Sequence, residues 1–327
     1  MSRFLFLFFL SGMILLSSFD MQAQVFKKDE PFAHTFSIVA RDAKTGQMAV
    51  GVQSHWFSVG TIVSWGKSGV GVVATQSFVN PAFGPEGLDL MEKGVPTEEA
   101  LVMMLQKDEG KDFRQLAMID TKGNAVAFTG EKCIAYASHH IGENYSIQAN
   151  MMDNAKVVPE MVKAYEKNAD LPLAERVVAA MIAGQEAGGD IRGKQSAVLL
   201  VVDGSPAEYA WQDKLIDLRV DDHETPIKEL ERLLKTHRAY EFMNKGDVAV
   251  EQGNMEKALE YYGAAQRMIP SNLEMKYWTA VALANNGQME EAKPIFQSVF
   301  KEDPKWRELT ERLPASGLLR LPKSEIS

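Results

Sequence analysis

The sequence contains very little cysteine and no long block of basic residues. Its single cysteine, Cys133, cannot form a disulfide within the chain. Because no family motif activates this thiol, we expect a small buried residue rather than a catalytic nucleophile. The net charge is -9 and the pI is about 5.3. Without a basic patch, nucleic acid is not an expected partner.

Long apolar runs are also missing, with one exception at the N-terminus. Arg3 precedes an apolar run over residues 4–16, and a short polar stretch then ends in Gln-Ala-Gln at residues 22–24. This layout is typical of a secretory signal peptide, and the run is shorter than an ordinary transmembrane helix. We predict a signal peptide over residues 1–23, a periplasmic or secreted location, and no stable membrane span after cleavage. A retained membrane anchor is the alternative.

Several motifs with well-known chemistry are absent from the sequence. It has no Gly-x-Ser-x-Gly elbow, so a catalytic triad of the α/β-hydrolase type is disfavoured. It has no phosphate-binding loop of the Walker or dinucleotide type. The histidine pair at 139–140 and the Asp-Asp-His cluster at 221–223 lack a spacing that would bring metal ligands together. We therefore predict no metal ion and no cofactor.

Two segments near the C-terminus repeat each other at a distance of 34 residues. Each copy has a glycine, an alanine, an aromatic residue and a proline at the same offsets: Gly253, Ala258, Tyr262 and Pro270, then Gly287, Ala292, Phe296 and Pro304. This period is the signature of tetratricopeptide helix pairs. The alanine lets two helices approach, and the proline ends the second helix. We predict an all-α repeat region over residues 236–313, with a closing helix over 305–313.

The repeat pattern predicts a surface that binds another protein. Stacked helix pairs form a concave face, so we expect docking of a protein partner or self-association. Only two full repeats are present, fewer than are usually needed for independent stability. We therefore expect them to pack against neighbouring elements. Five aromatic residues could line the concave face, although their spacing places most of them between helices: Phe242, Tyr261, Tyr262, Trp278 and Phe296.

Between the two ends, the pattern separates strands and helices into blocks. We predict strands over residues 35–42, 47–55, 69–77, 114–120, 125–129, 145–150, 196–203 and 216–222. We predict helices over residues 86–93, 96–107, 158–167 and 173–187, and a long helix from residue 226. This block order with hairpins is typical of an α+β fold. Two sheets, each covered by a helix pair, would form a four-layer αββα sandwich over residues 34–235.

Several short blocks of this segment resemble a known bacterial family. The blocks are Gln-Ser-His-Trp-Phe (53–57), Ala-Thr-Gln (74–76), Gln-Ala-Asn-Met (148–151), Gly-Gly-Asp-Ile-Arg-Gly-Lys-Gln-Ser (188–196) and Asp-Leu-Arg-Val-Asp-Asp-His (217–223). They resemble domain of unknown function 1028, a family with an Ntn-hydrolase-like fold and no established reaction. The start of this segment also resembles proteasome-type Ntn (N-terminal nucleophile) hydrolases. In both, a threonine opens the first strand, a hairpin leads to the second strand, and the third strand is rich in glycine.

This resemblance implies an amidohydrolase that cleaves an amide bond in a small molecule or a peptide. In such an enzyme an N-terminal threonine is the nucleophile, and its own α-amine is the general base. Thr35 is the matching residue, but it lies well beyond the predicted signal cleavage near Gln24. A free amine therefore requires a second cut between His34 and Thr35. The proteasome-type lysine has no clear match, because Lys67 falls in a turn. Alternatively, Thr35 only starts a strand.

Polar residues at strand ends and in a glycine-rich loop complete the candidate site. His55 could act as a base near neutral pH, and Asn150 could donate to an oxyanion, although each residue also has an ordinary structural interpretation. Arg192 could bind a carboxylate through two hydrogen bonds or form an ion pair with Asp190. The predicted substrate-binding residues are Gln53, Ser54, Thr75, Gln76, Asp190 and Arg192.

The sequence leaves more than one function open. The first hypothesis is an exported Ntn-type hydrolase with a helical-repeat interaction module. The alternative is a non-catalytic module that binds a ligand or a protein on an Ntn-like fold. In a third hypothesis, the repeat region carries the function and the sandwich only supports it. A mature chain that starts at Thr35 favours the enzyme, whereas one that starts near Gln24 favours the module.

Overall fold

The computed structural model describes residues 32–320, and the predicted signal peptide lies outside them. The strands in this part of the chain are β1 Phe32–Ala33, β2 Thr35–Arg41, β3 Met48–Ser54, β4 Ser64–Lys67, β5 Gly71–Phe78, β6 Arg114–Asp120, β7 Ala125–Thr129, β8 Ser138–Gly142, β9 Tyr145–Ala149, β10 Ser196–Val202 and β11 Ile216–Val220. The α-helices are α1 Phe83–Glu92, α2 Thr97–Gln106, α3 Val157–Lys167, α4 Leu173–Glu186, α5 Pro226–Glu251, α6 Met255–Met268, α7 Leu273–Asn285, α8 Met289–Glu302 and α9 Lys305–Arg312.

The strands form two antiparallel sheets. Sheet A has the order β1-β5-β6-β7, with β4 also paired to β5. Sheet B has the order β11-β10-β3-β2-β9-β8. Thr35 opens β2, which lies between β3 and β9 in the middle of sheet B. The predicted α+β class and the antiparallel sheets are confirmed.

Three apolar cores separate four layers of structure. Val73 and Met104 belong to the core between sheet A and helices α1 and α2. Val50 and Ala117 belong to the core between the two sheets. Ile38 belongs to the core between sheet B and helices α3, α4 and α5. The layers are therefore helices, sheet, sheet and helices, which is the predicted αββα sandwich.

Helix α5 joins the sandwich to the repeat region without a break. Pro226 occupies its first turn, where a missing N–H breaks no intrahelical hydrogen bond. The helix is 26 residues long and runs through residue 235, where the sequence suggested a domain boundary. The first half packs on sheet B through Leu230, and the second half packs against α6 through Met243. One helix thus contributes to both cores.

The repeat region contains the helix pairs that the 34-residue period predicts. The ring of Tyr262 lies so close to Gly246 that an added Cβ would be 2.3 Å from it, and Ala258 is fully buried. These small residues let α5 and α6 approach. Tyr262 and Phe296 are buried. The other three aromatic residues are partly buried and pack against the core that contains Tyr262, so a core role holds for this set: Phe242, Tyr261 and Trp278. No helix between residues 32 and 320 has the length and apolar character of a membrane span.

Three strands were not predicted from the sequence. Strand β1 has only two residues, and β4 has four. Strand β8 is mostly exposed and carries His139 and His140, so it lacks the apolar alternation that marks a half-buried strand. Hydrogen bonds to β9, rather than burial, determine the position of β8 at the edge of sheet B.

Candidate functional site

A group of buried polar side chains lies between the two sheets. We call it the inter-sheet polar cluster; each of its members has 0% exposure: Thr35, Ser37, Gln76, Gln115, Gln148 and Asn150. Strand alternation explains its position, because Phe36 and Ile38 on the same strand point to the helix-covered core. Polar groups in such a place destabilise the fold unless they are hydrogen-bonded.

Side-chain amides connect the members of this cluster. Gln76 Oε1 accepts a hydrogen bond from Ser37 Oγ at 2.6 Å, and Gln76 Nε2 donates to Gln115 Oε1 at 2.6 Å. Gln148 Nε2 donates to Ser37 Oγ at 2.6 Å. Asn150 Nδ2 donates to Gln115 Oε1 at 2.9 Å. The network therefore fixes the orientation of each amide next to Thr35.

Thr35 is held on both sides of its Cα atom. Its carbonyl oxygen accepts from Asn150 N at 3.0 Å, and from Asn150 Nδ2 and Gln76 Nε2 at 3.3 Å each. Its hydroxyl donates to the Ala33 carbonyl at 2.8 Å. Because Thr35 is fully buried, this hydroxyl lies in an environment where electrostatic interactions are strong.

The peptide bond that precedes Thr35 is polarised by two donors. The carbonyl oxygen of His34 accepts from Ser54 Oγ at 2.5 Å and from Arg192 Nη2 at 2.9 Å. One donor is a hydroxyl and the other carries a positive charge. This arrangement stabilises negative charge on the oxygen when a nucleophile adds to the carbonyl carbon. The hydroxyl of Thr35 belongs to the very next residue.

Asp190 determines the position of Arg192. The carboxylate accepts from Arg192 Nε at 3.0 Å and from Nη2 at 2.7 Å, and its side chain is fully buried. It also accepts from the backbone N–H of His55 at 3.2 Å. A bidentate pair of this kind holds a guanidinium group in one plane. The ion pair and the contact with the His34 carbonyl are therefore parts of one arrangement.

The imidazole of His34 is buried in the same place. Its Nδ1 lies 2.9 Å from Asn150 Oδ1, and its ring meets Phe78 edge-on at 5.4 Å. Because the Asn150 nitrogen donates elsewhere, its oxygen accepts from His34. Burial lowers the pKa of His34, and the charge of Arg192 lowers it further, although the Asn150 hydrogen bond opposes both effects. The lowered pKa favours the neutral imidazole.

The residues before Thr35 cover it. Strand β1 pairs with β5, with Ala33 opposite Ser77, so the chain crosses from sheet A to sheet B at His34. Ala33 is fully buried and His34 is 3% exposed. With these residues attached, the nitrogen of Thr35 is an amide rather than an amine.

The structure does not bring three of the predicted site residues to this cluster. Gln53 lies opposite Phe36 and Ala197, on the helix-covered face of sheet B. Thr75 lies opposite Leu116, on the face that α1 and α2 cover. The side chain of His55 is exposed, and only its backbone N–H contacts the site, through Asp190.

Five other predicted residues do meet around Thr35, together with four that the sequence analysis missed. The predicted ones are Ser54, Gln76, Asn150, Asp190 and Arg192, and the missed ones are His34, Ser37, Gln115 and Gln148. Apart from His34, the missed residues are polar residues at inward positions of apolar strands. That pattern is visible in the sequence once it is known which alternate residues of each strand face the other sheet.

Neither a metal centre nor a reactive thiol is indicated in the described part of the chain. Among residues 32–320, no group of three or more histidine, cysteine, aspartate or glutamate residues is placed to hold a metal ion. Cys133 is half-buried and its Sγ donates to the Arg114 carbonyl at 3.3 Å. Burial raises the pKa of the Cys133 thiol, which disfavours the nucleophilic thiolate.

The fold and the site define an αββα sandwich with a buried threonine between its sheets, followed by helical repeats. The family of unknown function DUF1028 matches residues 35–230, and a tetratricopeptide repeat model matches residues 249–313. The chain belongs to the DUF1028 family.

A solved structure supports the fold. A DUF1028 protein from Silicibacter pomeroyi, known from a crystal structure, is 31% identical in sequence, with a TM-score of 0.56. The match covers 62% of this chain and 85% of that one. No curated protein matches this chain.

Proposed function

We propose that the sandwich is an Ntn-type hydrolase of amide bonds, with Thr35 as its nucleophile. The observation that carries this proposal is the His34 carbonyl, which accepts from Ser54 and Arg192 and belongs to the peptide bond directly before Thr35. A nucleophile next to oriented oxyanion donors in a buried site is the arrangement that amide cleavage requires. The resemblance of the first three strands to the start of proteasome-type Ntn hydrolases points to the same class of reaction.

The α-amine of Thr35 has to be released before the enzyme can act. Thr35 Oγ adds to the carbonyl carbon of His34, and Ser54 and Arg192 stabilise the oxyanion. When the intermediate collapses, the C–N bond breaks and the hydroxyl proton ends on the Thr35 nitrogen. Water then hydrolyses the resulting ester, which frees the hydroxyl and leaves a carboxylate on His34. The new amine serves as the general base of the mature enzyme.

The substrate takes the place that residues 33 and 34 leave. Its carbonyl oxygen meets Ser54 and Arg192, and its acyl group lies against Phe78 and Asn150, which now contact His34. An amide of a small molecule or of a peptide fits this position. The reaction takes place after export, in the periplasm or outside the cell.

The state of the N-terminus tests this proposal. We expect intact-mass measurement and N-terminal sequencing of the exported protein to show a chain that starts at Thr35. Such a chain should also react covalently with an electrophilic probe, because the released amine activates the hydroxyl. Recovery of only a chain that starts near Gln24, inert to the probe, rejects the hydrolase.

A binding module without catalysis is the second candidate, and one observation favours it. With β1 paired to β5, Thr35 is fully buried and its hydroxyl is bonded to Ala33. If residues 32–34 stay in place permanently, the sandwich is a closed scaffold. Its function would then reside in its surfaces and in the repeat region.

The repeat region serves to dock a protein partner in this proposal. Between α5 and α7 lies a cleft of about 290 Å³ whose lining includes Val250, Trp278 and Val281. Tetratricopeptide repeats commonly present such inner faces to other proteins.

A pair of valine variants tests the docking role. Val250 lines the cleft, whereas Val248 is 51% exposed and lies outside it. We expect Val250→Glu to lose a protein partner that the parent chain retains in co-purification. Val248→Glu should keep it, since the same charge is added outside the cleft. Retention of the partner by both variants contradicts docking in this cleft.

A further inference from the structure

The last described residues fold back over the repeat region. After α9, Gly317 has a φ of +74°, a conformation that favours glycine. The N–H of Leu318 donates to the Leu313 carbonyl at 3.2 Å, which closes this turn. The chain then returns to the C-terminal end of α7. We call residues 318–320 the strap.

One side chain of α7 holds the backbone of the strap on both sides of Leu319. Asn285 Nδ2 donates to the Leu318 carbonyl at 2.9 Å, and Asn285 Oδ1 accepts from Arg320 N at 2.9 Å. An amide side chain that donates to one C=O and accepts from the N–H two residues later makes the same two hydrogen bonds as a residue of a neighbouring β-strand. Such contacts bind an extended backbone whatever its sequence, and side-chain sites then provide specificity.

The strap forms part of the wall of the cleft between α5 and α7. Leu319 is 2% exposed and packs in the core of the second repeat, whereas Leu318 is 53% exposed and lines the cleft. The cleft also contains the carboxylates of Asp247 and Glu251. Its lining is therefore apolar with a negative rim, which suits a ligand that combines an apolar side chain with a positive charge.

We propose that the strap is an internal ligand of the repeat region, and that an extended segment of a partner protein replaces it on Asn285. The segment has the chemistry of the strap itself: an extended backbone with apolar residues followed by a cationic one, as in Leu318-Leu319-Arg320. The acidic rim of the cleft attracts the positive charge. This inference rests on the docking role proposed above, and it is independent of the hydrolase.

An internal ligand weakens the binding of any external one. A tethered segment competes at an effective concentration of about millimolar, so the free protein binds a partner peptide less tightly than an open cleft does. Loosening the strap should therefore strengthen binding without any new contact to the partner. One lost backbone hydrogen bond corresponds to a change of about 3- to 10-fold in this competition.

A labelled peptide with the sequence of residues 317–322, Gly-Leu-Leu-Arg-Leu-Pro, is the probe for this test. Its affinity for the full chain is measured by fluorescence anisotropy. Arg320→Pro removes the N–H that donates to Asn285 but keeps Leu319 in the core. We expect this variant to bind the peptide about 3- to 10-fold more tightly than the parent. Arg320→Lys retains both the N–H and the positive charge and should stay within about twofold of the parent.

Asn285→Ala provides the complementary measurement. It should weaken peptide binding at least about 10-fold in the Arg320→Pro background, because both backbone contacts are lost. Asn286→Ala is the matched control, since Asn286 is exposed and its amide donates to Gln288 instead. Thermal unfolding confirms that each variant is folded.

Three results would overturn the internal-ligand proposal. They are equal affinities of the proline and lysine variants at residue 320, full binding by Asn285→Ala, and no detectable binding of the peptide by any variant. Loss of a co-purified partner in Val250→Glu would still support docking in that case. The N-terminal mass of the protein would still decide the hydrolase.

Discussion

Replacing Thr35 with alanine should leave the exported chain uncut and inactive. The variant lacks the only atom that can add to the His34 carbonyl in the proposed maturation, so intact-mass measurement should find the preceding residues still attached. Hydrolysis of a substrate amide should fall by at least about a thousand-fold, as it does when a nucleophile is removed from other hydrolases. The fold should remain, because the Thr35 hydroxyl makes one hydrogen bond, to Ala33.

Two further substitutions at position 35 separate the hydroxyl from the shape of the side chain. Thr35→Ser keeps the nucleophile and should be cut, although more slowly. Thr35→Val keeps the shape and should not be cut. Normal cleavage of the valine and alanine variants would show that a separate protease removes the leader, and the self-cleavage step would then be abandoned.

The oxyanion donors should show smaller effects than the nucleophile. Arg192→Met and Ser54→Ala each remove one donor to the His34 carbonyl, which is expected to slow cleavage about 10²- to 10³-fold. Both variants should still be cut on long incubation.

The sequence predicted the architecture better than the site. Block order and the 34-residue period were sufficient for the αββα sandwich and the helical repeats, because each depends on patterns repeated over many residues. The short strand β4 and the exposed strand β8 escaped prediction because they lack such a pattern. The long helix expected from residue 226, in contrast, is present as α5.

Strand parity explains the errors at the site. Gln53 and Ser54 are neighbours on β3, and Thr75 and Gln76 are neighbours on β5. Adjacent residues on a strand point to opposite faces, so only one residue of each pair can face Thr35. The pairing with sheet neighbours decides which one does, and a single sequence does not reveal it. His34 escaped prediction for another reason. Ser54 and Arg192 contact its backbone carbonyl, a group that every residue has and that the sequence therefore does not mark.

Replacing Gln76 with leucine should destabilise the sandwich by about 2–4 kcal/mol. Leucine is similar in size, but it leaves the Ser37 hydroxyl without its acceptor, and it removes the donor to Gln115 and to the Thr35 carbonyl. All of these groups are buried between the sheets, where water cannot replace the lost hydrogen bonds. Urea unfolding of the purified variant and the parent measures the difference.

A double-mutant cycle tests whether the network causes this loss. In a Ser37→Ala background the hydroxyl is already absent, so Gln76→Leu should cost about 1 kcal/mol less than it does in the parent. Thr75→Val, on the opposite face of the same strand, is the matched control; it loses one hydrogen bond to the Asn80 carbonyl and should cost only about 1 kcal/mol. Additive effects at positions 37 and 76 would mean that the two side chains do not stabilise each other. The orientation of the Gln76 amide would then have to come from its contacts with Gln115 and with the Thr35 carbonyl.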